Sequence, residues 1–492
     1  MDSDSQSLHP HIVIFPFMAK GHTIPLLHLL RLLRRRFPHL SLTIFTTPAN
    51  RPFISQFLSD SSISLVDLCF PQNVPGLPTG VESTDTLPSN SLHRLFCCAT
   101  ELMQPEFEER LQSLPVPVTF LISDMFLWWT LESASKFGIP RIIFSGMSNY
   151  CSAVFSAVMK NKALARVVCV EEMVTVSDFP WVKICRGDFD RVFWSEAEEK
   201  PTSLDVEFLM KSVHASMKSY GSIVNSFYEL EPVFSDYVRN SGRTWNIGPL
   251  CLYQCSFEAT TNGQTQQPTN QAIGPLWLEW LEGKLRQGDN VLYMAFGTQS
   301  EISSEQIKEI EIGLEESGVN FLWVRKKVEE EKETMEDKGF EERTKERGII
   351  VREWVNQWEV LKHEAVKGFF SHCGWNSVIE SLSCGVPILT YPLMADQSLN
   401  ARMVVEELRA GMKAVEGRSL MKGFVKGKDL KRHVKELMEG EEGKEARKKA
   451  MEISDMAKKA MAENGSSWRD LELLLQEMCN KSPLLPHSKK CS

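Results

Sequence analysis

The sequence predicts an α/β fold with two parallel-sheet halves, and three observations carry that expectation. Short apolar runs alternate with amphipathic segments along most of the 492 residues, the pattern of successive βαβ units. The chain is too long for one ordinary core, so two domains are the natural expectation. The segment "TTNGQTQQPTNQ" (260–271) contains no apolar residue and separates two stretches of alternation, as a linker or surface loop would.

In the first half, "HIVIFPF" (11–17) reads as a strand. "TIPLLHLLRLLRRRF" follows it with leucines at helical spacing and arginines near the C-terminal end, where the helix dipole favours cations. A helix opening at Thr23 would put Pro25 in its first turn, where proline is tolerated. "LSLTIFTT" (40–47), "VTFLIS" (118–123) and "RIIFSG" (141–146) read as further strands, and "WWTLESASKFG" as a helix. In the second half, "NVLYMAFG" (290–297), "NFLWVRK", "AVKGFFSH" and "VPILTYP" are strands, and "EQIKEIEIGLEESG" and "NSVIESLSCG" are helices. The charged run "KVEEEKETMEDKGFEERTKERG" reads as a solvated surface segment. The terminal helix "SSWRDLELLLQEM" opens on Ser467-x-x-Asp470, which has the spacing of a capping box.

Composition narrows the function. Hydrophobic residues make up 42% and charged residues 24%, values of a soluble globular protein. The net charge of −9 argues against a nucleic-acid partner. No apolar run is long enough to span a membrane. The polar start "MDSDSQSLHPH" lacks the order of a signal peptide. The twelve cysteines are scattered and form no C-x-x-C pair, as expected of reduced thiols in a cytoplasmic protein. Neither G-x-G-x-x-G nor a P-loop is present, which disfavours a dinucleotide-dependent oxidoreductase and a P-loop enzyme.

Ligands of open parallel sheets bind outside the carboxyl ends of the strands. His22, Asp124 and Ser145 lie at such ends in the first half. Gly297 and Thr298, His372 to Ser377, and Asp396 with Gln397 lie at such ends in the second. If the two halves face each other, one cleft holds all six clusters. The stretch "SHCGWNSVIESLSCG" (371–385) crowds His, Cys and Ser together, yet it has neither zinc-ligand spacing nor a nucleophile elbow. It does place a helix N-terminus after a strand, with Gly374 allowing close approach and Asn376, Ser377 and His372 able to donate, which suits a phosphate. Ser377-x-x-Glu380 also fits a capping box, so Glu380 has two readings.

"WVNQWEVLKHEAVKGFFSHCGWNSVIESLSCGVPILTYPLMADQ", Trp354 to Gln397, resembles the 44-residue signature box of plant family-1 UDP-sugar glycosyltransferases, without a gap. "GHTIP" (21–25), "NSFYELEP" (225–232), "IGPL" (247–250) and "AFGT" (295–298) resemble family landmarks in the same order. The resemblance implies two facing Rossmann-like domains, the GT-B architecture. The expected boundaries are 1–255 for the acceptor-binding domain, 256–275 for the linker and 276–460 for the UDP-sugar-binding domain. A helix at 461–480 would pack back on the first domain, and 481–492 form a tail.

Carried over residue by residue, Trp354 would stack on uracil, Gln357 would lie near uracil and ribose, and Glu380 would bind the ribose hydroxyls. His372, Asn376, Ser377 and Thr298 would hold the diphosphate, with Gly374 close by, and Trp375, Asp396 and Gln397 would surround the sugar, which the Trp375 and Gln397 pattern associates with glucose. Ser145 is grouped with these donor residues. Asn356 and Trp358 depart from the family's usual proline and small aliphatic residue. His22 would be the catalytic base and Asp124 its partner. The acceptor pocket is expected among Phe15, Phe17, Met18, Phe126, Trp128 and Met147, an apolar set suited to phenolic, flavonoid or terpenoid acceptors.

The reaction implied is an inverting, metal-free transfer giving a β-glycoside, with the UDP-sugar as co-substrate, no cofactor, and a monomeric enzyme. A donor-binding protein that has lost catalysis, or the same transfer from another UDP-sugar, remains the alternative.

Overall fold

The computed structural model describes residues 9–58, 62–164, 167, 169–189, 203–253, 275–299, 301–325, 335–417 and 423–481. Apart from Pro275, the expected linker 256–275 lies outside the described residues, as do the tail beyond 481 and part of the charged run, 326–334. The strands in chain order are β1 (His11–Phe15), β2 (Ser41–Thr46), β3 (Ser64–Asp67), β4 (Phe120–Asp124), β5 (Arg141–Ser145), β6 (Met173–Val176), β7 (Phe179–Cys185), β8 (Gly221–Val224), β9 (Thr244–Asn246), β10 (Val291–Ala295), β11 (Asn320–Val324), β12 (Gly348–Val351), β13 (Val366–Ser371), β14 (Ile388–Thr390) and β15 (Gly411–Lys413).

The described chain divides into two compact units, 1–153 with 195–253 and 459–492, and 154–194 with 254–458. The first contains a seven-stranded sheet in the order β3-β2-β1-β4-β5-β8-β9, all pairs parallel. The order reverses at β1 and β4, so the carboxyl ends of those strands sit at a topological switch point, where open α/β sheets bind ligands. The runs that form β1, β4 and β5 are buried at every position. That is why they read as unbroken apolar stretches and not as alternating ones. One face packs Ile12 and Ile14 with Leu26, Leu29, Leu30 and Leu33 of helix Lys20–Arg36. The other packs Val13 and Phe15 with Phe45, Phe107 and Trp129.

Helix Ser466–Lys481 belongs to this unit and buries Leu471, Leu474 and Met478 in the same core as Ile12. The spacing Ser467-x-x-Asp470 is not a capping box. The Ser467 hydroxyl donates to the Gly248 carbonyl at 2.6 Å, and Asp470 Oδ2 accepts from the Asn246 amide at 2.7 Å and from Arg239. These side chains fasten the helix to β9 and the loop after it, so tertiary partners displaced the local ones.

The second unit holds a six-stranded parallel sheet in the order β12-β11-β10-β13-β14-β15. It reverses at β10 and β13, again placing a switch point beside the polar clusters. The antiparallel hairpin β6–β7 also falls in this unit, whereas the boundaries expected from sequence place residues 1–255 in the first. A buried ion pair accounts for that grouping: Arg402 Nε lies 2.7 Å from Asp188 Oδ2, and the 402 and 188 side chains are 1% and 0% exposed. No helix among the described residues is long and apolar enough to cross a membrane.

Candidate active site

In the first unit, the switch point brings His22 and Asp124 together. His22 follows the β1 loop at the third residue of helix Lys20–Arg36, and Asp124 is the last residue of β4. Nδ1 of His22 lies 2.8 Å from Oδ2 of Asp124. A carboxylate oxygen only accepts, so Nδ1 donates and the lone pair of the neutral imidazole sits on Nε2. The Asp124 side chain is fully buried while that of His22 is 23% exposed. The second carboxylate oxygen, Oδ1, accepts from the Phe126 amide at 2.9 Å. The ring is flanked by Phe17 and Phe126, at centroid distances of 5.4 and 5.0 Å. A Cβ added at Gly146 would come within 3.5 Å of His22 Cε1. A histidine oriented by a buried carboxylate is an arrangement for taking a proton from a hydroxyl.

The residues expected to line an acceptor pocket separate into two groups. Phe126 is half-buried beside the dyad, and Met147 is half-buried in the segment after β5. Phe15, Met18 and Trp128 are buried. Phe15 is a core side chain: it stacks on Phe107 at 5.5 Å and meets Trp129 edge-on at 5.9 Å. It is the last residue of β1. Trp128 packs edge-on against Phe208, with the Lys211 ammonium over its ring. Ser145 ends β5 in this unit, and its hydroxyl accepts from the Met147 amide.

Sequence reasoning missed His93. It lies 6.1 Å from Phe17 and 6.2 Å from Phe126, ring to ring, and burial pushes its pKa down to about 4 with help from Arg94 and His22. No motif marks it, because it comes from a helix in the long connection between β3 and β4.

In the second unit, β13 ends at Ser371 and helix Trp375–Ser383 begins after three intervening residues. The turn between them holds Cys373 at φ +63°, a region that non-glycine residues seldom occupy. Its amide donates to the Ser371 hydroxyl oxygen at 3.1 Å, and its carbonyl accepts from Asn400 Nδ2 at 3.0 Å. Cys373 is fully buried and burial raises its thiol pKa, so it is a packing residue and no nucleophile. The first bond of the helical ladder runs from the Val378 amide to the Gly374 carbonyl. The amides of 375–377 therefore precede the ladder, at the positive end of the helix dipole.

His372 sits in a cradle of two glycines. A Cβ at Gly297 would lie 2.8 Å from His372 Nε2, and one at Gly374 only 2.7 Å from it. Gly297 has φ +82° as well. Both positions leave no room for a side chain. Burial lowers the His372 pKa to about 4, opposed by the Ala295 backbone. The ring is therefore neutral near pH 7 and is a donor or acceptor of hydrogen bonds, not a charge. Thr298 follows Gly297 early in the connection after β10.

Ser377 and Glu380 do not form a capping box either. Gln357 Nε2 donates to Ser377 Oγ at 3.0 Å and to Glu380 Oε2 at 2.7 Å. This joins two helices some twenty residues apart in the chain. Glu380 is 9% exposed, and burial raises its pKa to about 7, partly offset by Gln357. Trp354 precedes Gln357 and is 47% exposed, a flat aromatic surface available for stacking. Asn356 caps helix Gln357–Leu361 at φ −71°, close to the value a proline ring imposes, so its departure from the usual proline keeps the backbone angle. Trp358 is half-buried on that helix. Farther along, Gln397 Oε1 accepts from the amides of Leu393 and Met394 at 2.9 and 3.0 Å, and Asp396 Oδ2 accepts from Asn400 Nδ2 at 2.8 Å. Trp375 is 3% exposed and Asn376 half-buried. Among the described residues no group of three or more His, Cys, Asp or Glu side chains is arranged to hold a metal ion.

Solved structures share this fold. A Glycyrrhiza uralensis UDP-glycosyltransferase, UGT73P12, complexed with glycyrrhetinic acid 3-O-monoglucuronide, superposes with a TM-score of 0.82 at 28% identity, covering 96% of both chains. Phytolacca americana UGT2, complexed with UDP-2fluoro-glucose and pterostilbene, superposes with a TM-score of 0.75 at 29% identity, covering 96% of this chain and all of the other. Two Rossmann-like domains with polar strand ends thus define a glycosyltransferase of the GT-B class. In sequence, residues 251–462 match the family described as UDP-glucoronosyl and UDP-glucosyl transferase. UDP-glycosyltransferase 90A1 of Arabidopsis thaliana is 49% identical over 96% of this chain and 97% of its own. UDP-glucose flavonoid 3-O-glucosyltransferase 7 of Fragaria ananassa is 33% identical over 95% and 96%. The chain belongs to the plant family-1 UDP-sugar glycosyltransferases and is a UDP-glycosyltransferase.

Proposed function

We propose that the enzyme transfers glucose from UDP-glucose, with inversion, to a hydroxyl of a small hydrophobic acceptor of the phenolic, flavonoid or terpenoid class. The observation that carries this reading is the His22–Asp124 hydrogen bond of 2.8 Å, which orients an imidazole as a base at the end of an apolar strand loop. Nε2 of His22 takes the acceptor proton as the acceptor oxygen forms its bond to the anomeric carbon. The bond from that carbon to the β-phosphate oxygen breaks, and UDP leaves with the electron pair. Attack from the face opposite UDP turns an α-linked donor into a β-glycoside.

In this reading Asp124 holds the tautomer and stabilises the imidazolium that forms. The helix N-terminus at 374–377, His372 and Thr298 bind the diphosphate and meet the charge that develops on it. Trp354 stacks on uracil, while Gln357 and Glu380 bind the ribose. Trp375, Asp396 and the Gln397 amide face the sugar, the pattern that favours glucose. The reading assigns no cofactor and no metal, and it takes the enzyme to be cytoplasmic, in keeping with the lack of a disulfide among the described cysteines.

The acceptor class draws support from Phe17 and Phe126 around the dyad, and from relatives named for a flavonoid or solved with pterostilbene or a glycyrrhetinic acid glucuronide. A screen of several UDP-sugars against phenolic, flavonoid and terpenoid acceptors tests it, with products identified by mass spectrometry and the anomeric coupling constant. The expected product is a β-glucoside. An α-linked product, or a preference for another sugar, overturns the corresponding part.

A further inference from the structure

We infer that Arg141 is a positioning residue for the His22–Asp124 dyad, its guanidinium locking the turn that presents the Asp124 carboxylate. The inference rests on the reading of His22 as the base. Arg141 opens β5, opposite Leu121 of β4, and its long side chain runs along β4 to the strand's end. Nε donates to Ser123 Oγ at 2.7 Å and to Thr130 Oγ1 at 2.9 Å. One terminal nitrogen donates to the Asp124 carbonyl at 3.1 Å and to the Leu127 carbonyl at 3.2 Å, the other to Ser219 Oγ at 2.8 Å.

The arginine is only 2% exposed, and all five of these bonds go to neutral oxygens. Buried arginines are ordinarily matched by a carboxylate, as Arg402 is by Asp188 and Glu406. Arg141 has no such ion pair among the described residues. The acidic group nearest in charge to it is Asp124, whose two oxygens are turned instead to His22 and to the Phe126 amide. Asp124 also begins a tight turn, closed by the Leu127 amide on the Asp124 carbonyl at 3.1 Å. The guanidinium therefore grips both carbonyls of the turn whose first side chain orients the base. A buried cation without a direct ion pair is a costly way to brace a loop. Its placement makes sense where the loop carries a carboxylate that must stay ionised and fixed within a fraction of an ångström.

Arg141→Lys keeps the charge but loses the fork that spans the two carbonyls. Misplacing a catalytic group by about 1 Å costs as much as ~100-fold in rate. The expected kcat of this variant is roughly 10- to 100-fold below wild type, with KM for the donor and UDP affinity by calorimetry within about twofold of it. Thr130→Val, which removes one Nε acceptor while conserving shape, serves if Arg141→Lys does not fold, and is expected to lower kcat roughly threefold to tenfold.

A merely structural arginine is separated by a double-mutant cycle with Asp124→Asn, read in kcat. If Arg141 acts through the dyad, adding Arg141→Lys (or Thr130→Val) to Asp124→Asn costs less than about threefold more. Losses that multiply in the double variant overturn the inference, as does an Arg141→Lys enzyme, or a folded Thr130→Val substitute, at wild-type kcat. Asp124→Asn alone at the wild-type rate overturns the dyad itself and this inference with it, an outcome read from a different protein sample.

Discussion

Nε2 of Gln357 bridges Ser377 Oγ and Glu380 Oε2, at 3.0 and 2.7 Å, and so ties the start of one helix to the first turns of another. Glu380 is thereby held in a buried place where ionisation is disfavoured, with a pKa raised to about 7. A raised folded-state pKa means the folded protein binds more protons than the unfolded chain between about pH 4.5 and 7. The penalty is absent below that window, grows through it and is complete above it. Glu380→Gln is expected to raise the thermal midpoint at pH 8 and to change it little at pH 4.5. The same variant is expected to weaken UDP binding about tenfold, through loss of a charge-assisted bond. Thermal unfolding at the two pH values and calorimetric titration with UDP check both parts.

The glycine cradle of His372 leads to a second expectation. Gly374→Ala puts a methyl 2.7 Å from Nε2 of His372, closer than a carbon can sit. It removes no polar group, yet it must displace the ring. UDP affinity should fall roughly as far as in His372→Ala, on the order of 10-fold, the value of one hydrogen bond of about 1.4 kcal/mol. Unaltered UDP affinity in both variants by calorimetry would count against a diphosphate role for His372.

A third expectation concerns stability alone. Asp470 accepts from the Asn246 amide and from Arg239. Asp470→Ala leaves a buried amide without its partner, which costs about 1–3 kcal/mol. The urea midpoint of the first unit's transition should fall accordingly, while UDP affinity stays as in wild type.

Much of this was legible before folding, for physical reasons. Parallel strands buried on both faces must be apolar throughout, so β1, β4, β5, β10 and β13 read directly as runs, and the polar residues after them marked both switch points. What stayed hidden depended on partners distant in sequence. Ser467-x-x-Asp470 and Ser377-x-x-Glu380 carry the spacing of a local cap, and spacing alone cannot tell an oxygen that bonds its own helix from one that reaches Gly248, Asn246 or Gln357. Arg141 looked like any strand-opening charge, since nothing local reveals that its side chain will be buried without a carboxylate. Position in the chain places residues 173–185 in the first half, whereas Arg402 and Asp188, more than two hundred residues apart, group the hairpin β6–β7 with the second. Phe15 and Phe17, two residues apart, share one buried cluster, and only the ring contacts show that Phe17 also reaches His22.

The central claim is that His22 takes the acceptor proton and does not bind the donor. His22→Ala tests it most directly, with kcat measured on a saturated donor and UDP affinity measured by calorimetry on the same sample. General-base catalysis contributes about 10²–10⁴-fold, so kcat is predicted to fall by roughly that factor while the UDP dissociation constant stays within about twofold of wild type. An enzyme that turns over at the wild-type rate without His22 would contradict the account.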